Sequence, residues 1–230
     1  MLSEIMIQSL TETMPVSSSL HLAMFNLTLA QITNLHLYTS LSGLLYMRKT
    51  IIPLLKNLFQ CTTGAQFISA PASILSIITL AQAAIYLAIR RFLPLNLEHY
   101  MCIISGLMLI YAHKYPQTRT LSTLSFKDIP IILFFQTLGL VSGFSRLGSV
   151  LIASRLLCFN IQDSWSIAIL LGIPLSLGSG MYESSQVICN IYMFLLVTLT
   201  YCCYLFSTKI NLHFYGVYKV LLGIIVWWVK

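Results

Sequence analysis

Three long stretches of this chain contain no Asp, Glu, Lys, Arg or His: Phe67–Ile89, Ser164–Tyr182 and Ser184–Thr208. At about 1.5 Å of rise per residue, each is long enough as a helix to cross a hydrocarbon layer of about 30 Å. Water is absent at that depth, so the backbone must satisfy its own N–H and C=O groups, and a helix does so within one segment. The composition agrees. Charged residues make up 8% of the chain and hydrophobic ones 57%, whereas a soluble domain carries about 25% charge. The expected fold class is therefore all-α, a polytopic membrane protein forming one membrane domain over residues 1–230.

The formal net charge of +7 does not make the chain a nucleic-acid binder. Its basic residues are scattered at the ends of apolar segments instead of forming a patch, as positive-inside anchoring requires. The six cysteines, at 61, 102, 158, 189, 202 and 203, form no CxxC pair and have no histidine at metal-ligand spacing, so they read as small hydrophobes. No cleavable signal peptide is expected, because Glu4, Gln8 and Glu12 interrupt the N-terminal apolar run.

The apolar segments fall into two similar series. An opening stretch broken at Pro15 is followed by Asn34–Met47, Phe67–Ile89 and Leu97–Ala112. A polar stretch, Tyr115–Lys127, forms the linker. Beyond it, Ile129–Val141 breaks at Ser142–Gly148, a short apolar piece runs to Asn160, and Ser164–Tyr182, Ser184–Thr208 and Tyr215–Val229 follow. The pieces flanking each break are too short to span, so both breaks read as re-entrant hairpins. Each half is then one hairpin plus three crossings, and three crossings invert the second half relative to the first. The expectation is an inverted repeat, with pseudo-repeats at about 1–114 and 127–230 and the two breaks meeting near the midplane. Under this threading Arg48, Lys49, Lys56, Lys114, Arg119, Lys127 and Lys209 share one side and Arg90, Arg91 and Lys230 the other. The first side is the cytoplasmic one, so the opening hairpin enters from the outer face.

The polar residues of this chain concentrate at the two breaks. Gln8 and Glu12 are four apart and share a helix face. Pro15 disfavours helix at Met14. Ser17, Ser18 and Ser19 can cap a second short helix that carries His21 one turn on. A capping box, Ser9-Leu-Thr-Glu12, is the structural alternative for Glu12. Arg146 is alone in a run otherwise uncharged from Ile129 to Ser154, and an arginine at membrane depth marks a functional site by default. Its planar fork suits a phosphate or carboxylate, with Gly143 and Gly148 beside it to let backbone N–H groups approach an anion. An ion pair with Glu12, or snorkelling, is the alternative. His36 can serve as a hydrogen-bonding residue within the bundle, and Arg155 reads as an anchor near a cytoplasmic helix end.

These residues resemble a known family. The opening stretch is similar to the E/Q-x-x-x-E…P-[IV]-S-S-[ST]-G-H signature of bacterial undecaprenyl-diphosphatases (UppP/BacA), with Gln8, Glu12, Pro15, Ser17, Ser18, Ser19 and His21 in register. The second break resembles the family's P-G-x-S-R-S-G-x-T at Gly143, Ser145, Arg146 and Gly148. Echoes elsewhere include His36-Leu-Tyr-Thr39, Tyr46-Met-Arg-Lys49, Ser105-Gly106, Lys127-Asp128, Gln136 and Phe214…Tyr218-Lys219. The chain departs from the pattern at Leu20, Ser142, Leu147 and Val150, losing two hydroxyls from the second motif and reading as a divergent member.

The resemblance implies an integral-membrane hydrolase that removes the terminal phosphate of undecaprenyl diphosphate, recycling the lipid carrier of cell-wall synthesis and conferring bacitracin resistance. It implies a multi-pass protein of the bacterial inner membrane with its site reached from the outer face, a divalent cation (Mg²⁺ or Ca²⁺), and a homodimer. In this scheme Ser18 attacks and His21 activates it, with the reverse assignment left open. Glu12 and Arg146 complete the catalytic set, and Ser17, Ser19, Gly143, Ser145, Gly148 and His36 hold the head group. Gln8 and Glu12 provide the oxygen ligands of the metal. A transporter of lipid phosphate or another anion, built on the same inverted repeat, is the rival reading, and a catalytically weakened family member is a second.

Overall fold

The structure, a computed structural model, describes residues 2–22, 29–89, 97–183 and 191–229. It is all-α. The opening stretch forms α1 (Leu2–Thr13) and α2 (Ser18–Leu22), separated by a turn at Pro15. α3 (Leu29–Phe59), α4 (Gly64–Ser69), α5 (Pro71–Ile89) and α6 (Glu98–His113) follow. After two single turns of tighter helix, the second broken element is α7 (Ile129–Leu138) and α8 (Arg146–Leu156), and α9 (Ile161–Glu183), α10 (Ile191–Ser207) and α11 (Leu212–Val229) complete the order. Among the described residues there is no strand, only an isolated bridge between Arg119 and Phe159. α5 and the Ile161–Gly178 part of α9 are each long and apolar enough to cross a membrane alone. α10 and α11 pass that test together, bent by 113° at their junction. This is a helical membrane protein.

Several segments differ from expectation for identifiable reasons. The Asn34–Met47 segment is part of a 31-residue helix that continues past Arg48 and Lys49 and through Pro53. Phe67–Ile89 is not one piece. Ala70, ahead of Pro71, is extended at φ −61° and ψ 139°, the backbone a residue before proline prefers, so α4 and α5 are separate. The Tyr115–Lys127 linker is held in a fixed structure. The Arg119 guanidinium donates to both Asp128 oxygens at 2.8 and 2.7 Å and to Thr123 O, and its ring-facing side lies over Phe159. Arg155 is no anchor at an interface. It is fully buried and donates to the carbonyls of Pro116, Phe159 and Tyr115, which are free to accept because α6 and α8 both end there. Arg90, Arg91, Cys189 and Lys230 lie outside the described residues.

α8 is the centre of the bundle. Every residue from Gly148 to Arg155 is buried, the polar Ser149, Ser154 and Arg155 included. α3 packs on α9, α1 on α10, α7 on α5, and α6 on α11. The last pair is the closest: a Cβ on Gly106 would stand 2.7 Å from Gly216 O, and one on Gly223 would stand 2.9 Å from His99 O. Small residues let two helix backbones meet in this way in a membrane. The pairings 106–216 and 99–223 make α6 and α11 antiparallel. The loops carrying Lys114 and Lys209 therefore share one end of the bundle, where His113 and His213 lie 6.5 Å apart. Tyr46 bonds Thr208 at that same end, which brings Arg48 and Lys49 to it.

Candidate functional site

The two breaks meet. The N–H of Gly143 donates to Ser17 Oγ at 3.2 Å, and a Cβ on Gly148 would lie 3.1 Å from Pro15 O. Gly143 has φ +90°, and a Cβ there would stand 2.0 Å from Glu98 O, so only glycine fits this turn. The contact with Glu98 puts the meeting point level with the first turn of α6, at the end away from Lys114 and Lys209, and not at the middle of that helix.

Glu12 is the hub. α1 begins at Leu2, so Ser9 is a mid-helix residue whose hydroxyl accepts from Thr200 at 3.1 Å, and the capping-box reading of Ser9 and Glu12 is excluded. In the last turn of α1, Glu12 Oε1 accepts from Arg146 Nη2 at 3.1 Å. Its Oε2 faces His36 Nδ1 at 3.4 Å and accepts from Gln8 Nε2 at 3.3 Å. The Ser18 side chain lies beside the same carboxylate. Arg146 is 29% exposed and Glu12 14%. The pair thus lines a cavity of about 30 Å³, together with Thr39, Ser40, Ser176 and Tyr204. That is room for one or two waters.

Other expected residues sit differently. The N–H groups of Gly143 and Gly148 do not point into an open anion site; they are satisfied by Ser17 and by the α8 cap Ser145, which accepts from Gly148 N at 3.3 Å. Ser145 holds φ +73° to do so. His21 is not hydrogen-bonded to Ser18: its Nδ1 is 2.7 Å from Ser17 O and its Nε2 2.8 Å from Tyr218 OH. Ser19 lies on α2, and its side chain falls outside the described set.

Five residues with no role assigned from the sequence complete the surroundings. Ser142 donates to Glu98 Oε1 at 3.1 Å. Tyr218 holds His21, and Tyr204 lines the cavity. Lys219, fully buried, donates to Phe144 O at 2.5 Å. A lone lysine inside an apolar helix was the available signal for the last. Glu98 and Tyr204 carried none.

Among the described residues no group of three or more His, Cys, Asp and Glu is arranged to hold a metal. The donor set at Gln8 and Glu12 nevertheless suits a hard cation. Gln8 Oε1 is buried and has no hydrogen-bond partner, and it sits one turn before the Glu12 carboxylate. Two protein oxygens, with water and phosphate completing the shell, are how Mg²⁺ is usually held.

Fold and site together define a class: helical membrane proteins in which two broken helices bring a carboxylate, a serine and a guanidinium together, with an imidazole from the next helix, His36, beside the carboxylate. The chain belongs to the family described as Bacitracin resistance protein BacA, whose sequence profile matches residues 5–225. The undecaprenyl-diphosphatase of Thermosipho africanus (strain TCF52B) is 28% identical over 200 residues, which cover 82% of this chain and 79% of that one. The undecaprenyl-diphosphatase of Pelagibacter ubique (strain HTCC1062) is 27% identical, with 95% and 92% covered. That of Saccharophagus degradans (strain 2-40) is 29% identical, with 77% and 72% covered.

Proposed function

We propose that this protein hydrolyses undecaprenyl or a similar polyprenyl diphosphate to the monophosphate and phosphate, and so returns a lipid carrier to cell-wall synthesis and raises bacitracin tolerance. The observation that carries the reading is the Arg146–Glu12 contact at 3.1 Å, which joins the two motifs that resemble the phosphatase signatures. The names of the relatives support it.

Phosphoryl transfer asks for charge neutralisation on the phosphate oxygens, an aligned nucleophile and proton carriers. Arg146 supplies the first through its remaining guanidinium N–H groups. Ser18, beside Glu12, attacks the terminal phosphorus. The bond to the bridging oxygen breaks, the polyprenyl monophosphate leaves, and the hydroxyl proton passes to water. Water then cleaves the phosphoserine and releases phosphate, with His21 as the second proton carrier. A divalent cation held by Glu12 and Gln8 would neutralise charge on the diphosphate.

The packing of α1 on α10 and of α7 on α5, with α3 on α9 and α6 on α11, supports an inverted repeat. The basic residues at the α6–α11 turn end argue that this end is cytoplasmic. The breaks lie at the opposite level, which supports a site reached from the outer face of a bacterial inner membrane. A homodimer remains part of this proposal from the family resemblance. Phosphate release by the purified protein from undecaprenyl diphosphate, with and without EDTA, tests the whole reading. Release that is abolished by Arg146→Ala supports it, and movement of the lipid across vesicles without release overturns it in favour of a transporter.

A further inference from the structure

We infer that Tyr218 is a positioning residue for His21, holding in place the basic Nε2 of an imidazole whose Nδ1–H tautomer the Ser17 carbonyl sets. The Ser17 carbonyl can only accept, so the nitrogen 2.7 Å from it, Nδ1, carries the hydrogen. In the neutral ring Nε2 then bears the lone pair, and the Tyr218 hydroxyl 2.8 Å away donates to it. The ring planes lie within 9° of each other at a centroid separation of 6.2 Å. The phenol oxygen thus reaches Nε2 with the two rings held nearly parallel. Two bonds at opposite edges leave the ring one orientation and one tautomer, the control that a second partner normally exerts on a histidine.

The placement of Tyr218 is itself over-determined. Gly216 brings α11 against α6, and the next residue, Lys219, is anchored to Phe144 O in the second break. Adjacent residues of α11 thus hold one break each: Tyr218 the first, through His21, and Lys219 the second. The ionisable side chain beside Tyr218 and Lys219 is Cys102 on α6, whose thiol donates to Lys219 O at 3.3 Å, and Tyr218 is the ionisable side chain hydrogen-bonded to His21 among the described contacts.

The tautomer assignment is independent of what the protein does, whereas its kinetic consequence rests on the phosphatase reading, and the experiment keeps the two apart. The protein is labelled with ¹⁵N-histidine and placed in nanodiscs, and the His21 resonances are identified by their loss in His21→Asn. Wild-type protein is expected to show a neutral ring protonated at Nδ1. Tyr218→Phe, which keeps the aromatic ring, is expected to leave Nδ1 protonated toward Ser17 O, to move the Nε2 shift as its hydroxyl donor is lost, and to lower kcat for phosphate release about tenfold with KM changed less than twofold. A wild-type ring protonated at Nε2, or a Phe variant with unchanged ¹⁵N shifts and unchanged kcat, overturns the inference. Absence of phosphate release from wild-type protein with the Nδ1–H signature present would instead remove the phosphatase reading and leave the positioning role standing.

Discussion

Arg146, the first residue of α8, and Glu12, in the last turn of α1, stand 134 positions apart in the chain and share a hydrogen bond of 3.1 Å. Each makes the presence of the other tolerable at membrane depth, and both keep atoms on the same cavity.

Removing the guanidinium should therefore cost both activity and stability. Arg146→Ala is expected to lower phosphate release by a factor of about 10² to 10³, the scale of losing one positioned charge donor. Arg146→Lys is expected to fall close to it, since a point charge cannot replace the fork. Pairing Arg146→Met with Glu12→Gln should recover thermal stability without recovering rate, because no lone charge is left behind. Initial rates on the lipid diphosphate and melting in detergent read the two effects separately.

Ser18 and His21 have separable roles. Ser18→Ala is expected to abolish release and any labelled phosphoenzyme, whereas His21→Ala should slow turnover by about 10² to 10⁴. A Ser18→Ala variant that still turns over at the wild-type rate would move the attack to water or to His21.

Metal dependence should run through Gln8. EDTA is expected to stop release and Mg²⁺ or Ca²⁺ to restore it. Gln8→Leu, which removes the orphaned oxygen, should raise the cation concentration needed for half-maximal activity about tenfold. Equal cation dependence in wild type and variant would place the ion elsewhere.

Gly143→Ala puts a Cβ 2.0 Å from Glu98 O at φ +90°. The left-handed backbone alone costs roughly 1–2 kcal/mol in a residue with a Cβ, and relieving the clash must pull the second break away from α6. A lowered melting temperature and lost activity are expected together, measured by thermal unfolding in detergent and by phosphate release.

The linker predicts an acid sensitivity. Burial alone would raise the Asp128 carboxyl, but the Arg119 fork and the N–H and hydroxyl of Ser125 outweigh it and hold the group below its ordinary value. A depressed folded-state value means that this contribution is fully present above the unfolded carboxylate value of about 3.9 and is lost as pH falls through the folded one. Asp128→Asn should flatten that part of the stability–pH curve while lowering stability at neutral pH, read by melting between pH 3 and 7.

The helical class, the two breaks and most of the polar cluster were legible because membrane burial makes each polar residue expensive. Gln8, Glu12, Ser18 and Arg146 stood out against an apolar background and were found together. Where one strong local rule governed, the reading also succeeded, as with the stop ahead of Pro15. It failed where partners came from distant elements. Arg155 looked like an interfacial anchor because its three carbonyl partners belong to the turns that follow α6 and α8. Gly143 and Gly148 looked like anion ligands, yet what they permit is the approach of Glu98 and Pro15 backbones.

From the sequence alone follow the solvent this chain lives in, the places where its helices break and the residue types gathered there, since these depend on hydropathy and local backbone preference. Which nitrogen of His21 is basic, which of its neighbours holds it, and which acceptor the buried Lys219 finds were decided only in three dimensions. Hydrogen-bond partners 75 or 197 residues apart are chosen by how helices pack, and close packing through Gly106 and Gly216 leaves no periodic trace along the chain.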